Sequence, residues 1–109
     1  LHGRLIVGPP VRVAGIADCA AKLARFRITL ARGGEVHAEG GGANVLDSPL
    51  LAFAHLADLL ERQPRCAPVQ AGEIVTTGTL TAALPVRAGE TWSTQLEGIE
   101  LPGLEIGLI

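Results

Sequence analysis

Methionine is absent from this sequence, and the chain opens at Leu1 directly in a strand-like run. The expectation is therefore an N-terminally truncated polypeptide whose natural start lies upstream. Cysteine is scarce: Cys19 and Cys66 form no Cys-x-x-Cys pair. Such isolated residues read as reduced thiols, because a lone Cys usually behaves as a small buried hydrophobe. The formal net charge is −2, with Arg and Lys scattered singly. No basic stripe exists for a phosphate backbone, which excludes nucleic acid as the expected partner. Long apolar runs are missing too, since Gly, Pro or a charge interrupts each well short of about 20 residues. No signal-peptide layout opens the chain. The expectation is a soluble, cytoplasmic protein that does not engage a membrane. Internal repeats and low-complexity segments are also absent.

What remains is 109 residues, 48 % of them hydrophobic, enough for one core and a single domain over residues 1–109. Most of the chain reads as strand. Arg4 to Val7 is a short strand stopped by Gly8-Pro9-Pro10, and Val11 to Ala21 is irregular or loosely helical. From Ala24 the side chains alternate, with Ala24, Phe26, Ile28 and Leu30 facing one way. The following strand, Glu35 to Gly40, should bury Val36 and Ala38. A two-residue turn at Gly33-Gly34 would set Leu30 against His37, apolar against polar. A three-residue loop, Arg32 to Gly34, instead pairs Leu30 with Val36, Ile28 with Ala38 and Arg27 with Glu39, and is the expected register.

One helix stands out. Ser48 suits an N-cap, Pro49 the first helical position, and Leu50, Phe53, Leu56, Ala57 and Leu60 recur at helical spacing. It should end near Arg62, before Pro64, and its apolar stripe needs a sheet or a second subunit as cover. Beyond a loop to Val69, the stretch from Gly72 to Thr94 reads as three strands separated by a Gly-Thr turn and an Ala-Gly turn. Leu80, Ala82, Leu84 and Val86 share one face of the second strand; Trp92, Thr94 and Leu96 share one face of the third. A final strand places Leu104, Ile106 and Leu108 on one side.

Two segments carry candidate chemistry. Thr76 to Thr81 gathers hydroxyls and backbone amides around Gly78, a composition able to receive an anionic oxygen. Glu35, His37 and Glu39 alternate along a strand and so share a face, as ligands of one cation would. The same alternation describes any solvent-facing strand, and Arg27 offers Glu39 an ion-pair partner; no metal site is assigned there. His55 reads as a packed or surface residue. His2 is left without a role at the chain's edge.

Taken with Gly3 to Pro9, Gly42-Ala43-Asn44-Val45-Leu46 and the closing Leu101-Pro102-Gly103-Leu104, the Gly72–Thr94 stretch resembles the C-terminal part of the 2-keto-4-pentenoate hydratase family, within the fumarylacetoacetate hydrolase-like superfamily. The resemblance implies a mainly β fold with one long helix (α+β), with twisted mixed β-sheets around a central pocket. It implies a hydro-lyase that adds water to a 2-hydroxydienoate or 2-oxo-enoate to give a 4-hydroxy-2-oxo acid. Mg²⁺ or Mn²⁺ would hold the substrate's 2-oxo and carboxylate oxygens. The family's ligands are a Glu-x-Glu pair and a further acidic residue, placed upstream of Leu1, since no Glu-x-Glu occurs here. This chain by itself is then expected to be inactive. Homo-oligomerisation of the full-length protein is a further implication.

Matched to the family's Thr-Gly-Ser/Thr-Leu turn, Thr79 becomes the foremost substrate contact. Gly78 lets the backbone approach, and Leu80 and Thr81 are neighbours in the pocket wall. The segment Gly42-Ala43-Asn44 leads toward the helix, whose N-terminus could help bind an anion. Many family members carry Gly-His-Pro where this chain has Asp47-Ser48-Pro49. Other reactions of the same superfamily, acylpyruvate hydrolysis and 2-oxo acid decarboxylation, are alternatives, as is a non-catalytic β-rich interaction domain.

Overall fold

The computed structural model describes residues 3–109; His2 lies outside them. Four strands, β1 (Arg27–Arg32), β2 (Glu35–Gly41), β3 (Thr91–Glu97) and β4 (Glu105–Gly107), form one sheet in the order β2-β1-β3-β4. Every pairing is antiparallel, so the expected mixed sheets are replaced by a single antiparallel one. Two helices accompany it, α1 (Cys19–Arg25) and α2 (Pro49–Glu61). The α+β class holds, and no helix among the described residues is long and apolar enough to cross a membrane.

The β1–β2 hairpin departs from the expected register for a specific reason. Its turn has two residues, Gly33 and Gly34, with φ of +56° and +87°. Positive φ at both central residues is what a type I′ turn needs, and its twist matches the flanking strands. Arg32 then pairs with Glu35 and Ala31 with Val36, but the register shifts before Leu30, which pairs with Ala38. His37 is the extra residue of this β-bulge. The bulge resolves the apolar-against-polar conflict that the three-residue loop was expected to resolve, without lengthening the turn. It also turns Val36 to the outer face, 52 % exposed, while Ala38 stays half-buried.

β1 pairs with β3 in unbroken register: Ile28 with Leu96, Leu30 with Thr94 and Arg32 with Trp92. These six therefore share one face, which Ile106 joins opposite Trp92. The alternation read in β3 and in Leu104 to Leu108 is borne out. The start of β1 is later than expected, because Ala24 and Arg25 close α1 instead of opening the strand. Phe26 follows and is buried with Ile16 and Ile99, packed by Leu23, Ile28, Leu80, Leu96 and Leu101.

Three expected strands do not form. Arg4 to Val7 and the stretch from Glu73 to Arg87 hold no strand. Residues with strand propensity form a strand only where a neighbouring strand pairs with their backbone, and neither segment has such a neighbour among the described residues. Val86 is 57 % exposed, so the face shared by Leu80 to Val86 is covered only in part, at Leu80 and Leu84. The Ala-Gly turn does form, with Gly89 at φ +85° and Glu90 N–H donating to the carbonyl of Arg87 at 3.3 Å.

The bounds and cap of the helix are as read, whereas its apolar stripe is covered only in part. Ser48 is buried in extended backbone and its Oγ accepts the N–H of Leu50 at 3.2 Å; Pro49 opens α2 and Arg62 closes it. One flank of α2, with Ala52, Leu56 and Leu60, is half-buried, and α2 lies against α1. None of its residues is fully buried. Leu50, Leu51, Phe53 and Leu59 stand in solvent.

Trp92 anchors the far end of the sheet. Its Nε1–H donates to Glu90 Oε2 at 3.0 Å, Arg32 lies over the ring at 5.8 Å, and His37 meets it at 5.8 Å and 52°. Arg32 also pairs with Glu90 at 3.3 Å. The Trp92 hydrogen bond, the Arg87 backbone N–H and the Arg32 guanidinium hold the Glu90 carboxyl below the ordinary glutamate range.

Candidate functional site

Three consecutive glycines, Gly40, Gly41 and Gly42, connect the end of β2 to a 3₁₀ turn at Gly42–Asn44. Each sits where a side chain would strike main chain. A Cβ on Gly40 would collide with the carbonyl of Leu80, one on Gly41 would lie 2.7 Å from the carbonyl oxygen of Phe26, and one on Gly42 would collide with that of Leu23. Close backbone approach is thus possible only because Cβ is missing. The result is that Leu80, from a distant part of the chain, lies directly on β2.

Asn44 completes the junction. Its Nδ2 donates to the carbonyl oxygen of Leu80 at 2.9 Å. Val45, 3 % exposed, comes within van der Waals distance of where a Gly78 side chain would be. The two segments singled out in the sequence, Gly42 to Leu46 and Thr76 to Thr81, therefore meet in space. Within the turn, Thr79 and Gly78 are exposed, Leu80 is half-buried against the core, and Thr81 is half-buried with its hydroxyl on the carbonyl of Ala82 at 3.3 Å. The Thr79 hydroxyl has no hydrogen-bond partner among the described residues.

Beside this junction lies an open groove of about 530 Å³, bounded by Arg25, Arg27, Glu39, Gly41 and Asn44. Arg27 is committed to Glu39 at 3.2 Å, the ion pair that the sequence suggested. The partners are diagonal rather than opposite, because Arg27 pairs in register with Gly41 and Glu39 with Thr29. Arg25 has no ion-pair partner among the described residues. Its contribution was not legible in the sequence, where it reads as one scattered charge. The N-terminus of α2 is occupied by its own cap, Ser48. Asp47 precedes it at φ +66°, a left-handed conformation that Asp tolerates better than most residues and glycine best.

The alternation of Glu35, His37 and Glu39 on one face does not survive the bulge. Glu35 and His37 stay on the Trp92 side with 4.0 Å between them, whereas Glu39 turns to Arg27 on the other face. Among the described residues no group of three or more His, Cys, Asp or Glu side chains could hold a metal ion. The described residues do not fit a divalent cation.

No protein-family model matches the chain. Individual proteins do. The 2-keto-4-pentenoate hydratase 2 of Dechloromonas aromatica is 40 % identical over 81 residues, 74 % of this chain and 30 % of that protein. The 4-oxalocrotonate decarboxylase of Pseudomonas sp. strain CF600 is 34 % identical over 88 residues, 81 % of this chain and 32 % of its own length. The chain belongs with the 2-keto-4-pentenoate hydratases and 4-oxalocrotonate decarboxylases. Solved structures of the 4-oxalocrotonate decarboxylase from Pseudomonas putida G7 agree, with a TM-score of 0.68 at 33 % identity over 81 % of this chain and 32 % of theirs. One is complexed with calcium and acetate, the other with magnesium and adipate. The chain spans about a third of the length of the relatives it matches. The names of these relatives are those of enzymes, hydratases and decarboxylases.

Proposed function

We propose that this chain forms part of the substrate-pocket wall of an enzyme that hydrates a 2-hydroxydienoate, or its 2-oxo-enoate tautomer, to a 4-hydroxy-2-oxo acid. The observation that carries this reading is the junction itself: Asn44 and Gly40 hold Leu80 in place, leaving Thr79 exposed next to Gly78. Thr79 Oγ–H, or an amide around Gly78, donates to a carboxylate or 2-oxo oxygen of the substrate. Leu80 and Thr81 support the turn from below. A fixed donor spends no free energy on reorganising when charge develops on that oxygen.

A divalent metal, Mg²⁺ or Mn²⁺, belongs to this chemistry by resemblance. It would polarise the 2-oxo group. Its ligands lie elsewhere in such a protein, since the residues described here offer none. The side chains Leu51 and Leu59, turned outward on α2, are compatible with assembly as a homo-oligomer.

Decarboxylation is the second reading, supported by the 4-oxalocrotonate decarboxylases among the relatives and solved structures. The two are separated by giving the complete polypeptide, with Mg²⁺, either a 2-hydroxydienoate or 4-oxalocrotonate. Formation of a 4-hydroxy-2-oxo acid from the first supports hydration. Release of CO₂ from the second without such a product overturns it in favour of decarboxylation, and turnover of neither removes both.

A further inference from the structure

A second site lies away from the Asn44–Leu80 junction, on the face of the sheet that carries Leu30, Trp92, Thr94 and Ile106. Between this face and the segment around Ile6 is a cavity of about 100 Å³, lined by Ile6, Leu30, Trp92, Ser93, Thr94, Leu104 and Ile106. We infer that this cavity is a binding site for a small apolar group, of the size of one ring or a short branched alkyl chain. The inference does not depend on the hydratase reading.

Two of the polar groups at its wall already have partners, and Ser93 sits in register with Ala31, on the alternate face of the strand from Trp92 and Thr94. Trp92 Nε1–H donates to Glu90, leaving the apolar ring toward the cavity, and Thr94 Oγ1 accepts the N–H of Leu104 at 2.9 Å. A water molecule needs two to four polar partners to be held, and this lining offers too few. An apolar cavity of about 150 Å³ in another protein stays dry and binds benzene; a space of about 100 Å³ with one open side takes a group of similar or slightly smaller size. A peptide strand or a helix is too large for it.

Access is built in. Ile6 lines the cavity and Val7 the hollow beside it, and no backbone group of Leu5, Ile6 or Val7 bonds another backbone group among the described residues. They are 51 %, 50 % and 60 % exposed. Displacing this strap breaks no ladder hydrogen bond. An adjoining hollow under Val7 to Pro10 shares Thr94 and Leu104 with the cavity and reaches Ile28 and Leu96. A ligand longer than one ring extends in that direction.

Trp92, the single tryptophan of the chain, lines the cavity and reports on it directly. Benzene titrated into the purified protein should change Trp92 emission saturably. Ile106→Phe puts a ring into the space and should weaken benzene binding by about tenfold or more while the circular dichroism stays native. Leu30→Phe fills the same space from β1 and decides the matter if Ile106→Phe fails to fold. Should both fail, nuclear Overhauser effects between benzene and the Trp92 indole in the parent protein decide it. A non-saturable response in the parent, unchanged affinity in the filled variants, or absence of those Overhauser effects overturns the proposal.

Discussion

Gly40 and Leu80 are held so close that β2 has room there for no side chain at all: a Cβ on Gly40 would run into the Leu80 carbonyl, which Asn44 caps at 2.9 Å. Gly40→Ala should therefore push the Gly78–Thr81 turn off the sheet. A destabilisation of about 1–3 kcal/mol is expected, the range for overpacking a filled site. Gly15→Ala is the control, because nothing lies within 4 Å of its Cβ position, and it should stay within about 0.5 kcal/mol. Urea unfolding of the two variants side by side reads the contrast; equal midpoints would remove the junction as a structural constraint.

How much of this was legible beforehand varies with how local the cause is. The helix was readable because Ser48, Pro49 and the apolar spacing act within a few residues of one another. The alternation in β3 and β4 was readable for the same reason. The hairpin register was not, since the bulge at His37 settles a conflict between turn geometry and face polarity that can be resolved in two ways. The stretch from Glu73 to Arg87 has strand composition but no partner, and partners are a long-range property. The Gly40–Gly42 run could have signalled close approach, yet nothing local says that Leu80 is what approaches.

Thr79→Val keeps the size and β-branching of the side chain and deletes its donor. In the complete enzyme, loss of a hydrogen bond to a charged oxygen is expected to cost about 1.5–3 kcal/mol. Catalytic efficiency toward a 2-hydroxydienoate should then fall about ten- to over a hundredfold. Stability should stay within about 0.5 kcal/mol, because the side chain is exposed. Efficiency within about twofold of the parent would make Thr79 a turn residue only.

Glu90 should give the protein a specific acid sensitivity. Folding lowers its carboxyl pKa, through Trp92 Nε1–H first, then the Arg87 N–H and Arg32. A lowered folded value means that the stabilisation is full above the ordinary glutamate range and is lost as pH falls through that lowered value. Glu90→Gln should flatten the decline of the melting midpoint as pH falls through and below the ordinary glutamate range. Trp92 emission should change over the same interval in the parent alone. Identical pH profiles for parent and variant would contradict this.

Mg²⁺ and Mn²⁺ should not bind this 109-residue chain tightly, because Glu35, His37 and Glu39 are divided between two faces. Tight sites need several oxygen ligands converging on one point. Isothermal titration calorimetry should show no one-to-one submicromolar event. Such an event would restore a metal role to one of these side chains.

The outward apolar surface of α2 bears on how this chain melts. Its buried apolar residues are Ile16, Phe26, Val45, Trp92 and Ile99, and α2 adds none. Heat capacity and denaturant sensitivity both scale with the apolar surface that unfolding uncovers. A chain whose longest helix is already half in water has less left to uncover. Its heat-capacity increment should fall below the about 1.2–1.5 kcal/mol/K of an ordinary 100-residue domain, and its transition should be broad. A surface that covers Leu50, Leu51, Phe53 and Leu59 would sharpen that transition by making the melting of α2 inseparable from its own release.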